Sequence, residues 1–265
     1  MRLLNTMTLE LSEFMDDIPP YAILSHTWGY DEVSFAEIQR PERDKKKGFG
    51  KIRGCCRQAR GDGFEWVWID TCCINKASSV ELNEAINSMF EWYGQAQVCY
   101  VYLEDVEIRS SSRFPDQAFS SARWFTRGWC LQELIAPPTV EFYSADWAEL
   151  GTKLDLCEKI QQITGIPREV LVGKPNALQG CSIAQRLLWA SNRQTTRIED
   201  KAYSLLGIFN VSMPLIYGEG DRAFSRLQAE IARQPEDNSS PRSTLRIHNY
   251  RLHNLRARGQ GVLRE

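Results

Sequence analysis

The segment Tyr21-Ala-Ile-Leu-Ser-His-Thr-Trp-Gly29 decides the fold that the sequence predicts. Its first half is a short apolar run, typical of a strand buried on both faces, and its second half is a polar turn. Two further apolar runs, Trp66–Ile69 and Val98–Leu103, end on polar residues at Asp70 and at Glu104-Asp105. The three runs predict parallel strands whose polar carboxyl ends meet at one edge of a sheet.

Helical patterns separate these strands. Phe49–Arg60 predicts one helix, and a second begins at Ser78, which forms a capping box with Glu81. Trp124–Ala136 predicts a further helix, followed by a fourth strand over Val140–Tyr143. Because strands and helices alternate, the sequence predicts an α/β fold with a mostly parallel sheet flanked by helices.

The chain divides into three predicted parts. Residues 1–150 form the α/β core, 151–233 an added C-terminal helical subdomain that packs on it, and 234–265 a disordered basic tail. Residues 107–119 are polar and predict a surface loop. The predicted C-terminal helices are Thr152–Thr164, Ser182–Ser191, Glu199–Phe209, with Thr196 and Glu199 as a second capping box, and Arg222–Arg233.

Composition excludes several classes of function. The formal net charge is −2, so no global basic field attracts nucleic acid. The sequence contains no run of 18 apolar residues, so it predicts no membrane span. The N-terminus does not resemble a secretory signal. Eight scattered cysteines without paired C-x-x-C spacing predict reduced thiols, no metal site and a cytoplasmic protein.

Glu133 is the carboxylate whose surroundings best suit chemistry. In a helix it shares one face with Trp129 and Cys130, and partial desolvation there raises the pKa of a carboxyl. Its anion can stabilise positive charge that develops on a ligand. The alternative is a structural ion pair with Arg123 or Arg127. The opposite helix face is predicted to be the core-facing one and carries Leu131, Leu134 and Ile135.

The turn Ser25-His26-Thr27-Trp28-Gly29 offers backbone N–H groups to a phosphate and an indole face to a base. Asp70 is placed to orient His26 or to bind a ribose hydroxyl. The segment lacks the glycine-rich and P-loop nucleotide motifs. An ordinary turn with Trp28 buried, and with Asp70 capping its own turn, stays an alternative, as does nucleophilic catalysis by Cys72 or Cys130 with His26.

Six segments in order resemble the fungal heterokaryon-incompatibility (HET) domain. They are Tyr21–Gly29, Trp68-Ile-Asp-Thr-Cys-Cys-Ile-Asn75, Ala85-Ile-Asn-Ser-Met-Phe90, Arg127-Gly-Trp-Cys-Leu-Gln-Glu-Leu-Ile-Ala-Pro137, Thr195-Thr-Arg-Ile-Glu-Asp-Lys-Ala-Tyr-Ser-Leu-Leu-Gly207 and Met213-Pro-Leu-Ile-Tyr-Gly-Glu-Gly220. The resemblance implies a cell-death role in fungal non-self recognition. The family often precedes a nucleotide-binding receptor module, and none follows in this sequence. The resemblance therefore implies either a trigger on another chain, such as an upstream NLR-type receptor, or a truncated or stand-alone version.

A more distant resemblance suggests a mechanism. Trp129-Cys-Leu-Gln-Glu-Leu134 is similar to a helix of plant TIR domains, whose glutamate, the catalytic residue for NAD⁺ cleavage, falls on Glu133. TIR domains are flavodoxin-like and signal by assembling, so the resemblance implies a TIR-like α/β sheet and self-association into an active oligomer.

The leading hypothesis is therefore an NAD⁺-cleaving effector of TIR type, with NAD⁺ as substrate and no tightly bound cofactor. Glu133 is the predicted catalytic residue, and Trp129 is a predicted stacking wall. The alternative is a non-enzymatic adaptor that signals through homotypic assembly. The predicted substrate-binding residues are Ser25, His26, Thr27, Trp28, Gly29, Asp70 and Trp129.

Overall fold

A computed structural model describes residues 1–108 and 114–234. The strands in this part of the chain are β1 (Arg2–Asn5), β2 (Leu11–Glu13), β3 (Tyr21–His26), β4 (Trp66–Ile69), β5 (Val98–Tyr102), β6 (Val140–Tyr143) and β7 (Glu149–Thr152). The α-helices are α1 (Phe49–Gly61), α2 (Asp70–Cys73), α3 (Ser79–Gln95), α4 (Asp116–Ser120), α5 (Cys130–Ile135), α6 (Cys157–Thr164), α7 (Arg168–Leu171), α8 (Ala177–Gly180), α9 (Ile183–Ser191), α10 (Asp200–Tyr203) and α11 (Arg222–Arg233). The 3-10 helices are Pro41–Lys45, Arg123–Thr126 and Gly207–Phe209.

The seven described strands form one sheet in the order β2-β1-β4-β3-β5-β6-β7. The four central strands are parallel, which confirms the predicted α/β fold with a parallel centre. The outer strands β1, β2 and β7 pair antiparallel, with β2 and β7 at the two edges, and were missed by the sequence prediction. They are three or four residues long, and β7 contains Gly151 at a φ of 125° opposite a register shift, so no alternating pattern marks it.

The central strands bring their carboxyl ends to one edge, as predicted. Ser25 lies beside Val101 and Leu24 beside Ile69, so the turn after β3, the start of α2 and the residues after β5 are neighbours. Because β3 lies between β4 and β5, the chain reverses its direction of travel across the sheet at this point. Doubly wound sheets bind ligands in the crevice that such a reversal opens.

The chain between Trp124 and Ala136 is not one helix, contrary to the prediction. Gly128 donates its N–H to the Gln194 carbonyl (2.8 Å), and Gln194 donates to the Thr126 carbonyl (2.6 Å). A side chain at Gly128 would collide with Thr195, so only glycine permits this approach. The bridge diverts the backbone, and α5 therefore begins only at Cys130.

Other local predictions are met only in part. Ser78 caps α3, because its hydroxyl accepts from the Glu81 N–H (3.3 Å), but the predicted capping box is incomplete, since the Glu81 carboxylate accepts from Arg2 and from the Asn75 N–H. Glu199 does not complete a capping box either, since its carboxylate accepts from the N–H groups of Gly218 and Gly220. Residues 107–119 were predicted as a loop, but α4 begins at Asp116 inside this range. Residues 109–113 lie outside the described part of the chain.

Residues Met1–Gln234 form one compact unit. α3 contacts the Gly207–Phe209 helix, where a side chain at Gly207 would overlap Phe90, so the C-terminal region lies directly against the sheet half. A division at residues 150 and 151 stays a prediction. The predicted tail falls almost wholly outside the described residues. Within them, no helix has both the length and the hydropathy needed to cross a membrane.

Two glycines of α1 predict opposite effects of alanine on stability. Alanine normally stabilises a helix relative to glycine, by about 0.5–1 kcal/mol, and Gly50 has open space around it. A methyl group at Gly54 would overlap the indole of Trp147, which costs about 1–3 kcal/mol. In urea unfolding, Gly50→Ala is therefore expected to be neutral to stabilising and Gly54→Ala destabilising. Equal effects from the two substitutions would refute this close contact.

Candidate functional site

Glu133 lies in the middle of α5 with its side chain buried, at 6% exposure. All six residues of α5 are buried, so the predicted division into a core face and a crevice face is wrong. The predicted ion pair is also absent from the described residues, because Arg123 contacts Glu104 and Arg127 donates to Thr196. Glu133 is thus an interior carboxyl and not one partner of a surface salt bridge.

A chain of hydrogen bonds ends on this carboxyl. The indole Nε1 of Trp124 donates to Ser25 Oγ (2.7 Å), and Ser25 Oγ donates to Glu133 Oε2. An indole N–H can only donate, so Ser25 must accept from Trp124 and its own proton stays available for Glu133. Ser25 and Trp124 are themselves buried. The strand end predicted to surround Glu133 therefore does contact it, through Ser25.

Burial raises the pKa of Glu133 from its ordinary value of 4.5 to about 8. The Ser25 and Cys130 hydrogen bonds and the charge of Arg127 oppose this rise, whereas the negative charge of Asp70 adds to it. Desolvation of the anion outweighs these smaller contributions. The carboxyl therefore carries a proton at neutral pH in the resting protein.

His26 and Asp70 lie next to each other at the ends of β3 and β4. His26 Nδ1 is 3.9 Å from Asp70 Oδ1, too far for a hydrogen bond, and both atoms are buried without a hydrogen-bond partner in the described part of the chain. Burial lowers the pKa of His26 well below 6.5, and the nearby charges of Lys51 and Lys76 lower it further. Burial raises the pKa of Asp70. The imidazole is therefore neutral at physiological pH.

Trp28 is an exposed indole, so the alternative in which it is buried is wrong. It is 41% exposed, its Nε1 donates to Asp70 Oδ2 (2.8 Å), and the Lys76 ammonium lies 3.5 Å from its ring centroid. The next residue, Gly29, donates its N–H to Glu32 Oε1 (2.6 Å). Glu32 also pairs with Lys51, which donates to the Thr27 carbonyl (3.2 Å) and fixes the turn from below.

Trp129 is oriented differently from the other predicted residues. It lies beside Asp200 of α10. Burial raises the pKa of the Asp200 carboxyl, and side-chain hydrogen bonds with Tyr217 and Trp129 oppose this rise. No hydrogen bond joins Trp129 to residues 25–29 among those described. The structure thus joins Ser25 to Glu133 and Trp28 to Asp70, and it directs Trp129 towards the C-terminal region.

Arg193 is a site residue that the sequence prediction missed. It is buried, its Nη1 donates to the Arg127 carbonyl (2.9 Å), and its Nη2 has no hydrogen-bond partner within the described residues. Burial lowers the pKa of Arg193 to about 10, although the nearby Cys130 and Glu133 act to raise it. No local motif marks this arginine, because it approaches α5 from 60 residues further along the chain. Glu32, Lys51, Lys76 and Trp124 were also missed, and Arg123 was considered only as an ion-pair partner of Glu133.

The cysteines are poorly placed for nucleophilic catalysis. Cys72 and Cys130 are buried free thiols. A hydrogen bond with Cys73 and burial raise the pKa of Cys72 well above 9, and burial does the same for Cys130. A reactive cysteine requires the thiolate, which these surroundings disfavour. The geometry therefore gives the cysteine-hydrolase alternative no support.

One surface groove lies away from the candidate site. A groove beside β2 is lined by none of the predicted site residues, and its walls are Arg2, Glu10, Leu11, Ser12, Glu13, Phe35, Ala36 and Gln39. In residues 1–108 and 114–234, no three His, Cys, Asp or Glu side chains are grouped as metal ligands. Glu133 is closed to solvent, so a substrate reaches it only if the surrounding elements move.

Comparison with known proteins connects this geometry to a family. Residues 21–117 match the family model described as heterokaryon incompatibility protein (HET). The chain is 51% identical over 223 residues to the vegetative incompatibility protein HET-E-1 of Podospora anserina, a match that covers 82% of the chain and 16% of that relative. The chain therefore corresponds to about a sixth of the relative's length. No solved structure matches it.

Proposed function

Because the chain belongs to the heterokaryon-incompatibility (HET) family, we propose that it is a cell-death effector of fungal non-self recognition that cleaves NAD⁺ when several copies assemble. The observation that carries this proposal is the interior carboxyl of Glu133, hydrogen-bonded to Ser25 at the carboxyl end of β3. Active sites commonly contain such carboxyls with raised pKa values. Residues from two distant parts of the chain meet there.

The proposed reaction is hydrolysis of the bond between nicotinamide and ribose. The C1′–N bond breaks, and its electron pair leaves with the nicotinamide nitrogen. The ribose then carries an oxocarbenium-like positive charge, which a carboxylate at Glu133 stabilises. Water adds to C1′ and loses a proton, which gives nicotinamide and ADP-ribose. The ionised form of Glu133 is the active form in this proposal, and the positive charge of bound nicotinamide favours that form.

The neighbouring residues have proposed binding roles. Ser25, His26, Thr27, Trp28 and Gly29 line the substrate, Asp70 accepts a ribose hydroxyl, and Trp129 serves as a stacking wall once the site opens. NAD⁺ is the substrate and no tightly bound cofactor takes part. The strand order β4-β3-β5-β6 supports a TIR-like fold, because it corresponds to the first four strands of flavodoxin-like sheets.

Assembly supplies the switch in this proposal. Glu133 is closed to solvent in the single chain, so self-association must move α5 or the turn after β3 to admit substrate. An upstream NLR-type receptor is the proposed trigger in the cytoplasm, with no role for nucleic acid or membrane. Such a population shift requires the assembled state to favour the open form of the site over the closed form.

Artificial clustering tests the proposal. The chain is fused to an inducible oligomerisation domain, and nicotinamide release from NAD⁺ is followed before and after the inducer is added. Release is expected only from the clustered protein, at a rate proportional to the clustered fraction. Clustered, folded protein that releases no nicotinamide would refute the enzymatic proposal.

A non-enzymatic adaptor is the second candidate. The observation that favours it is the burial of Glu133 behind Ser25 and Trp124, since an interior carboxyl can hold α5 against β3 without any chemistry. Expression of Glu133→Gln in fungal cells separates the two functions. An adaptor keeps its toxicity without NAD⁺ loss, whereas the effector loses both while it still assembles.

A further inference from the structure

Arg123 bridges the segments that follow β3 and β5, at the strand ends where doubly wound sheets open a ligand crevice. Its backbone N–H donates to Asp105 Oδ2 (2.8 Å), which fixes its main chain to the residues after β5. Its guanidinium Nη2 donates to Thr27 Oγ1 (2.9 Å) and to the Trp28 carbonyl (3.3 Å), both in the turn after β3. The arginine therefore holds the two segments in a defined relation.

Within residues 1–108 and 114–234, the anchoring uses only one of the three guanidinium nitrogens. All of its side-chain hydrogen bonds to described residues leave from Nη2, so the N–H groups of Nε and Nη1 have no acceptor there. The side chain is 54% exposed. A planar guanidinium with free N–H groups is well suited to a phosphate, and one held in place by its own Nη2 loses little conformational entropy on binding.

Glu104 is the carboxylate that competes for this arginine. Its Oε2 lies 3.4 Å from Nη2, and its side chain is 48% exposed. Exposed pairs of this length contribute little to stability. A pyrophosphate, which carries two negative charges in total, can therefore displace Glu104 from the guanidinium.

A second cation and an aromatic ring lie at the same turn. The Lys76 ammonium lies over the exposed ring of Trp28. Arg123 binds the backbone carbonyl of the same residue. Positive charge beside an exposed aromatic ring suits a ligand that has both phosphates and rings, such as a nucleotide. From this geometry we propose that Arg123 binds the phosphates of the nucleotide substrate, an assignment that rests on the proposed function and identifies its specificity-determining residue.

Two substrates that share the scissile bond test the assignment. NAD⁺ carries a pyrophosphate, whereas nicotinamide riboside carries none. In clustered protein, Arg123→Gln is expected to lower kcat/KM for NAD⁺ by about 10- to 100-fold, mainly through KM, and to leave nicotinamide riboside within about threefold of the unmodified protein. Arg123→Lys keeps the charge without the planar guanidinium, so its kcat/KM for NAD⁺ should lie between that of Arg123→Gln and that of the unmodified protein. Arg222→Gln, which removes an exposed arginine of α11, is the matched control.

Glu104→Gln gives a change of opposite sign. With the competing carboxylate gone, kcat/KM for NAD⁺ is expected to rise about two- to fivefold, a gain that a damaged turn would not produce. If Arg123→Gln leaves NAD⁺ cleavage unchanged, or lowers both substrates equally, the phosphate assignment is wrong while the proposed function stands. If unmodified clustered protein cleaves no NAD⁺, the proposed function fails and the assignment is overturned with it.

Discussion

Replacing Glu133 with glutamine is expected to stabilise the protein at pH 8 and to have little effect below pH 4.5. The pKa of Glu133 is about 8 in the folded protein and 4.5 when exposed, so the folded state binds the extra proton. Its contribution to stability is complete below pH 4.5 and is lost as the pH rises through 8, on the order of 4 kcal/mol. Glutamine resembles the protonated carboxyl and keeps an acceptor for Ser25, so it avoids this loss.

Urea unfolding at pH 4.5, 6, 7 and 8 measures the effect as the difference between Glu133→Gln and the unmodified protein. Glu84→Gln, an exposed glutamate of α3, is the matched control and should show no trend of this size. A difference that stays flat across the four pH values would mean that Glu133 is not desolvated in the folded state.

The rate of nicotinamide release by clustered protein is expected to rise between pH 6 and pH 9, because the carboxylate is the proposed active form. The pKa of about 8 in the closed single chain leaves about one Glu133 in a hundred ionised at pH 6, which sets the upper limit of the rise at about 100-fold; opening of the site on assembly lowers that pKa and makes the rise smaller. His26 does not contribute to the rise, because burial keeps its pKa well below 6.5. The measurement is kcat/KM for NAD⁺ as a function of pH.

Lys153 is the neighbouring group that requires a control. It donates to the carbonyls of Leu134 and Pro137 at the end of α5, and burial lowers its pKa to about 8. Lys153→Arg keeps its charge throughout this range and should retain the rise in rate. Loss of the rise in that variant would assign the pH dependence to Lys153 and not to Glu133.

The central sheet was predictable because its signals are local. The Tyr21–His26 run and the other buried strands are apolar throughout, and strands of that kind belong inside parallel sheets. The break before α5 was not predictable, since it depends on Gly128 meeting Gln194, about 66 residues later in the chain. A tertiary hydrogen bond there overrides the helical propensity of the segment.

The same distinction applies to the candidate site. Ser25, Trp28 and Asp70 could be identified because they directly follow or end predicted strands, and Glu133 because of its spacing from Trp129 and Cys130 in a predicted helix. The hydrogen bond from Trp124, the bridge that Arg123 forms between the ends of β3 and β5 and the approach of Arg193 depend on tertiary structure alone. Burial of Glu133 on every side was also missed, because the sequence pattern predicted only one apolar face of α5.

The most direct measurement of the central claim is nicotinamide release from NAD⁺ by clustered protein, with Glu133→Gln compared at equal concentration and equal assembly. Removal of the carboxylate is expected to lower release at least about 100-fold while folding and clustering persist. Full release by Glu133→Gln would contradict the proposed role of this residue.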